Sequence, residues 1–163
     1  MVNFFNKIFP ENANNNYSGS RMALWILIAF LVLMTWRSVI HMFFEPFGLH
    51  GIANVMILTG DPDPMPLIYR FFSIWGFAQL IFCIACWIAI LKYRSFVPLM
   101  YVFWIIEWGV RVFYYPFFGR DGDVINNFNI AGTPGIYLAP YFFVFLVICF
   151  ILSLRESNLG ESK

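Results

Sequence analysis

Charge is the scarcest thing in this chain. Only 12% of its residues are Asp, Glu, Lys or Arg, against ~25% in an ordinary soluble domain. That scarcity excludes a well-solvated surface. A net charge of +1 with no basic patch also excludes a nucleic-acid-binding face. Histidine is nearly missing: His41 and His50 alone are too few for a histidine-rich di-iron membrane oxygenase. The three cysteines, Cys83, Cys86 and Cys149, fall inside apolar runs, so no disulfide framework is expected. Cys83 and Cys86 have redox spacing, yet they lie within a span, away from the helix terminus that would activate a thiol. No P-loop, G-x-S-x-G or H-E-x-x-H is present. The G-x-x-x-G pattern is missing from the apolar runs, which argues against a glycophorin-like helix dimer.

What remains is apolar and aromatic. Hydrophobic residues make up 61% of the chain, with 21 phenylalanines among them. The natural solvent for such a composition is lipid. Runs of about 20 apolar residues suffice to cross ~30 Å of hydrocarbon, and four are found, at 22–44, 67–91, 96–115 and 135–154. Residues 1–21 are polar and Asn-rich, with Phe4, Phe5, Ile8 and Phe9 at helical spacing. This predicts either a short helix lying on the membrane surface or a frayed tail. The run that follows is too long for a signal peptide and has no small-residue cleavage site. The first loop carries Pro46, Pro62, Pro64 and Pro66, with a stretch from His50 to Leu58 apolar enough for a short interfacial or re-entrant helix. One stripe of the second span reads Tyr69, Phe72, Gly76, Gln79, Cys83 and Cys86, the small and polar surface that close helix packing in lipid favours. Pro98 is tolerable in the first turn of the third span, and Pro140 should kink the fourth. Residues 155–163 form a polar tail.

Lys7, Arg21, Lys92, Arg94, Arg155 and Lys163 lie in the N-terminal segment, the short second turn and the tail. The two longer loops hold Arg120 against Glu45, Asp61, Asp63, Asp121 and Asp123. By the positive-inside rule both termini are cytoplasmic and both longer loops face outward. The reading is an all-α integral membrane four-helix bundle, multi-pass and in a bacterial inner membrane.

This orientation gathers the embedded ionisable groups. Arg37 and His41 are four apart on one face of the first span, and Glu107 and Arg111 four apart on one face of the third. Arg70 falls near the outer end of the second span and Gln79 at mid-depth. All lie in the outer half of the bilayer. A charge near the bilayer centre costs ~3 kcal/mol on insertion scales, so such groups face the bundle interior and pair. Three arginines against one embedded acid leave positive charge over, and the guanidinium fork suits carboxylate or phosphate. The expected site is an outward-opening pocket for an anionic small molecule or lipid headgroup. Arg37, Arg70 and Arg111 would be its donors, Glu107 would orient Arg111, and Gln79 and Trp108 would line it. His41 would titrate, and Trp36, Trp104, Tyr115, Tyr137 and Tyr141 would add aromatic walls. The same residues admit a structural reading: Glu107 pairs with an arginine as interhelical glue, Arg70 snorkels to headgroups and His41 rests at the interface. The D-x-D pairs Asp61/Asp63 and Asp121/Asp123 have the oxygen ligands of a Ca²⁺ site, but not the twelve-residue EF-hand spacing, and Gly, Pro and Asp also form turns.

Four spans, a short cytoplasmic turn and longer outer loops resemble DoxX-like small membrane proteins. The outline is also similar to four-span bundles of the sterol-isomerase (EXPERA) type, whose polar groups sit within the bundle. The first resemblance implies an accessory or redox-associated membrane subunit; neither supplies a motif that carries site residues over. Two functions follow: a binding protein, serving a larger membrane complex or a homo-oligomer and contacting membrane lipid, or an enzyme acting on a lipid, sterol or quinone with Glu107 and His41 in acid–base roles. A purely structural subunit is a third. A reporter fused after Lys163 should report the cytoplasm; an external signal would overturn the span count.

Overall fold

The computed structural model describes residues 4–118 and 127–155. Among them the regular secondary structure is helical, in the order α1 (Phe4–Ile8), α2 (Arg21–Phe43), α3 (Met65–Lys92), α4 (Val97–Gly109), α5 (Tyr115–Phe117), α6 (Pro134–Tyr137) and α7 (Ala139–Leu154), with one isolated β-bridge between loops. Three helical stretches, Arg21–Phe43, Met65–Lys92 and Arg94–Phe117, are long and apolar enough to cross a membrane. The last of these is α4 continued through a wider turn into α5. At ~1.5 Å per residue, the 16-residue α7 reaches ~24 Å.

Each helix buries a narrow stripe and leaves the rest of its circumference apolar. On α2 the stripe is Ala23, Leu27, Phe30, Leu31, Met34, Ser38 and His41, recurring every three or four residues. Trp25, Val32, Leu33 and Trp36 stand exposed around it. On α3 the buried residues include Gly76, Gln79, Cys83 and Cys86; on α4, Tyr101, Trp104 and Trp108; on α7, Leu146, Cys149 and Ser153. A helix apolar on all sides belongs where its outer surface meets another apolar phase. Inside, Trp104 meets Phe30 edge to face with ring centres 5.1 Å apart and packs on Phe82 at 4.7 Å. The Tyr101 hydroxyl reaches across to donate to the Ala23 carbonyl at 2.6 Å.

The helices pair unequally. α2 packs along α3, and α4 along α7, with α2 also touching α7. α3 and α4 are joined by the tight turn through Arg94–Phe96 and meet far less along their length, so one seam of the bundle is loose. α2 and α3 come close at Gly76, where a β-carbon would lie 2.6 Å from the Met42 nitrogen and 2.7 Å from the His41 carbonyl carbon. Only a residue without Cβ lets the two backbones meet there.

Several expectations change in detail. Pro140 kinks nothing: it occupies the first turn of α7, after a break at Leu138, because a residue without N–H loses nothing at a helix start. In the loop between α2 and α3 the helical turn is Phe47–Ile52, not His50 to Leu58. Beyond it the chain extends, because the second loop takes up its backbone groups. Val55 pairs antiparallel with Asn129, Met56 N–H donates to the Phe128 carbonyl and Ile130 N–H to the Asn54 carbonyl, both at 2.8 Å. Asn54 has φ 57°, which asparagine tolerates better than most residues, and its amide donates to the Gly132 carbonyl at 2.9 Å. The N-terminal helix docks at the opposite end: Ile8 is buried and the Lys7 ammonium donates to the Leu154 carbonyl at 3.2 Å. That carbonyl belongs to the last turn of α7, where a cation is favoured. Asn14 and Ser95 hold this strap to the α3–α4 turn by reciprocal hydrogen bonds of 3.2 Å. Burial also pushes the Tyr17 phenol above its usual range, so it stays a donor, reaching the Ser153 carbonyl at 3.4 Å.

Gly76→Val should force α2 and α3 apart. We expect a loss of about 1–3 kcal/mol, the ordinary cost of overpacking, seen as a lower unfolding midpoint in detergent. An unchanged midpoint would show that the close approach is not a constraint.

Candidate functional site

The polar side chains of three helices meet in one place. Glu107 on α4 is the centre: its Oε1 accepts from the Arg111 guanidinium one turn along and from Gln79 Nε2 of α3 at 3.3 Å. With the Gln79 amide nitrogen toward the carboxylate, its Oε1 faces α2 and accepts from Ser38 Oγ at 3.2 Å. Ser38 is anchored in turn, 2.7 Å from the Met34 carbonyl. The result is a chain of contacts, Ser38–Gln79–Glu107–Arg111, running across α2, α3 and α4. Gln79 and Ser38 are buried, and a buried amide or hydroxyl needs such partners to offset its lost hydration.

Arg37 joins from α2 by a different interaction. Its guanidinium carbon lies 5.0 Å from the Trp75 ring centre and 6.0 Å from that of Trp108; Arg111 lies 5.4 Å and 5.0 Å from the same rings. Two indoles therefore serve two guanidinium groups, each contact being worth up to ~2 kcal/mol where water is excluded. His41, one turn beyond Arg37, rests against Phe72 and Trp75 with ring centres 4.4 and 4.6 Å apart. Among the described residues the one ion pair in this cluster is Glu107–Arg111. Arg37 Nη1, Arg111 Nε, His41 Nδ1, Trp108 Nε1 and Glu107 Oε2 are buried without a protein hydrogen-bond partner. Each such atom costs on the order of 1–3 kcal/mol, so the cluster holds polar capacity that its own fold does not use.

Two spaces adjoin the cluster. One, of about 200 Å³, is lined by Arg37, His41, Phe72, Trp75 and Arg111 and, from the loops, by Ile52, Ala53 and the residues from Thr133 to Ile136. Thr133 Oγ1 ties the two loops together there, donating to the Ala53 carbonyl at 2.8 Å. The second, of about 410 Å³, lies in the loose α3–α4 seam between Trp75 on one side and Glu107, Val110, Arg111 and Tyr115 on the other. Arg111 stands on a widened helical turn, Val110–Tyr114. Pro116 accounts for that turn: it offers no N–H to the carbonyl four residues back and its ring crowds that carbonyl, and one extra residue in the turn relieves both.

Of the residues singled out from the sequence, Arg37, His41, Gln79, Glu107, Trp108 and Arg111 come together. Arg70 does not. Its side chain is exposed, because nine residues from Gln79 is two and a half helical turns, which places it on the opposite face of α3. The aromatic walls also differ. Trp104 is core, Trp36, Tyr137 and Tyr141 are exposed, and Tyr115 lines the seam. Trp75, which sequence reasoning passed over, is the plate on which both arginines rest; its spacing of four from Gln79 was the available signal. Ser38, three residues from His41, was missed in the same way. His50 serves the loop instead, bridging the Val55 carbonyl and the Tyr69 hydroxyl, each at 2.7 Å. Asp61 is exposed, and Asp63 Oδ1 accepts from the Met65 N–H at 2.9 Å to start α3; Asp121 and Asp123 lie outside the described residues. Among those residues no group of three His, Cys, Asp or Glu side chains has the spacing to hold a metal ion. Cys83, Cys86 and Cys149 are free and buried.

Comparison with protein families, with curated proteins and with solved structures gives no match to this chain. The resemblance to DoxX-like and sterol-isomerase-type bundles thus rests on hydropathic outline alone.

Glu107→Leu should cost more than a surface ion pair would, about 3–5 kcal/mol, because it strands Arg111 and Gln79 together. Glu107→Gln should lose less, since it keeps an acceptor. Thermal unfolding in detergent measures both, and a Leu variant as stable as the parent would show that this carboxylate does not hold the helices.

Proposed function

We propose that this chain is a four-span membrane protein, with both termini cytoplasmic, whose arginine-rich pocket binds the anionic group of a small molecule or lipid. It would act as a binding or accessory subunit, alone or within a larger membrane complex or homo-oligomer. The observation that carries this reading is Arg37. Among the described residues it is a guanidinium without a carboxylate partner, set on Trp75 beside Arg111 and lining a cavity. A structural ion pair explains Glu107 and Arg111, but it gives no reason for the second cation. An uncompensated charge at membrane depth is costly, and an anionic ligand removes that cost.

The fourth span, α7, is short for ~30 Å of hydrocarbon. It becomes long enough if α6 and the break at Leu138 continue through the outer boundary. The positive-inside distribution supports the same arrangement.

An acid–base enzyme is the second reading, and the geometry favours it less. Glu107 Oε1 is engaged by Arg111 and Gln79, which suits a positioning group better than a proton carrier. His41 lines the cavity and would have to act as the base without it.

Arg37→Gln tests the first reading, because no ion pair is lost and the fold should survive. Native mass spectrometry after mild-detergent extraction should find a stoichiometric anionic species on the parent. The variant should hold it at least tenfold more weakly, the ~1.4 kcal/mol that one charge-assisted hydrogen bond can supply. Equal retention by a folded variant would rule Arg37 out as a ligand donor.

A further inference from the structure

The two spaces beside Arg111 differ in chemistry and in size, and together they describe a ligand in two parts. The smaller cavity, about 200 Å³, is lined by Arg37, His41 and Arg111. It is smaller than the ~300 Å³ at which ordinary small-molecule sites begin, so it suits a headgroup rather than a whole molecule. The seam cavity, about 410 Å³, is lined by Trp75, Val110 and Tyr115 together with Glu107 and Arg111. Trp75 and Arg111 border both, so they are where one part would join the other. On the loop side the smaller cavity is lined by Ile52, Ala53 and the residues from Thr133 to Ile136, with Thr133 bonded to the Ala53 carbonyl. The larger lies between α3 and α4, which pack on one another far less than α2 packs on α3 or α4 on α7. In the four-span arrangement proposed above, that seam would face the acyl chains.

Formal charge narrows the head. Among the residues lining the two cavities, Arg37 and Arg111 are opposed by Glu107 alone, and with histidine neutral one positive charge is left over. A monoanion balances it; a dianion would overshoot. Resting on the anion-binding reading above, we infer that the ligand is a monoanionic amphiphile. Its head lies between Arg37 and Arg111 and its apolar chain in the α3–α4 seam, and it reaches the site sideways from the membrane. The head is a carboxylate or a phosphodiester, which present the same charge and paired oxygens to a guanidinium.

The test uses the full chain in neutral phosphatidylcholine nanodiscs, with a stearate carrying a diazirine at mid-chain, photolysed and mapped by peptide mass spectrometry. Adducts should concentrate on Trp75, Val110 and Tyr115. Unlabelled stearate should compete and stearyl alcohol should not, and Arg37→Gln should reduce labelling at least tenfold. Val110→Trp, at a half-exposed position that lines the seam and not the smaller cavity, should reduce it equally while leaving the unfolding midpoint unchanged. If that variant does not fold, the parent's adduct map and the competition series still decide. Phosphatidylglycerol competing as well as stearate would assign the head to a lipid phosphodiester; competition by stearate alone would assign it to a free acid. Adducts confined to lipid-facing residues such as Val32 and Leu33, with no competition, would overturn the two-part ligand. Equal competition by stearyl alcohol would overturn its charge. Should labelling fail while acetate still protects the parent, but not Arg37→Gln, against thermal unfolding, the anion site would survive without its chain. Independence of both from Arg37 would end both readings.

Discussion

The carboxylate of Glu107 is the point on which the arrangement turns. In a bundle whose outer surfaces are apolar there is no hydrophobic force holding one helix to another once they lie in lipid. Packing and interhelical hydrogen bonds must do it. Glu107 accepts from α3 through Gln79 and from its own helix through Arg111, and Gln79 passes the connection to Ser38 on α2. One acid thus sets the rotation of three helices about their axes. It also fixes where Arg111 stands, and through the shared indoles of Trp75 and Trp108 it fixes the neighbourhood of Arg37.

That same economy leaves the seam between α3 and α4 loose. Gly76 lets α2 and α3 approach backbone to backbone, and α4 leans on α7 through Trp108 against Phe142 and Phe113 against Phe143. Residues that would close α3 on α4 at the same level are instead Trp75, Val110 and Tyr115, two of them broad rings around open space. The widened turn at Val110–Tyr114 adds to this, since it re-aims Arg111 relative to the straight part of α4. Looseness at a level where charge is concentrated is poor structural design if the cluster is only glue. It is reasonable if something must reach the charge.

Local spacing made much of this readable in the sequence. The pairs Arg37/His41 and Glu107/Arg111 at four residues fix which side chains share a face, and the Gly76–Gln79–Cys83–Cys86 stripe identifies the packed side of α3. The apolar runs locate the long helices to within a few residues. Arg70 shows the weakness of reading depth without rotation: its level was considered, its angle from Gln79 was not. Trp75 went unnoticed for a related reason. Six tryptophans in an aromatic-rich chain look alike, and only the fold distinguishes the one between two guanidinium groups from the one, Trp104, packed among Phe30 and Phe82.

The contacts that close the site from the loop side are nonlocal, and no spacing rule reaches them. Val55 meets Asn129, and Ala53 meets Thr133, across some seventy to eighty residues of chain. The composition of both loops reads simply as turn. Yet this pairing decides the geometry of access. With Ala53 tied to Thr133 through the Thr133 hydroxyl, and Ile52, Ala53 and the stretch from Thr133 to Ile136 lining the smaller cavity, a ligand arriving from the aqueous side would meet the two joined loops first. One arriving through the α3–α4 seam need displace only lipid. An anion that is itself amphiphilic already resides in that lipid, oriented with its charge toward the outer boundary where the arginines are expected to lie. For such a ligand the desolvation of its chain is complete before binding begins, and the guanidinium pair has only the head to capture.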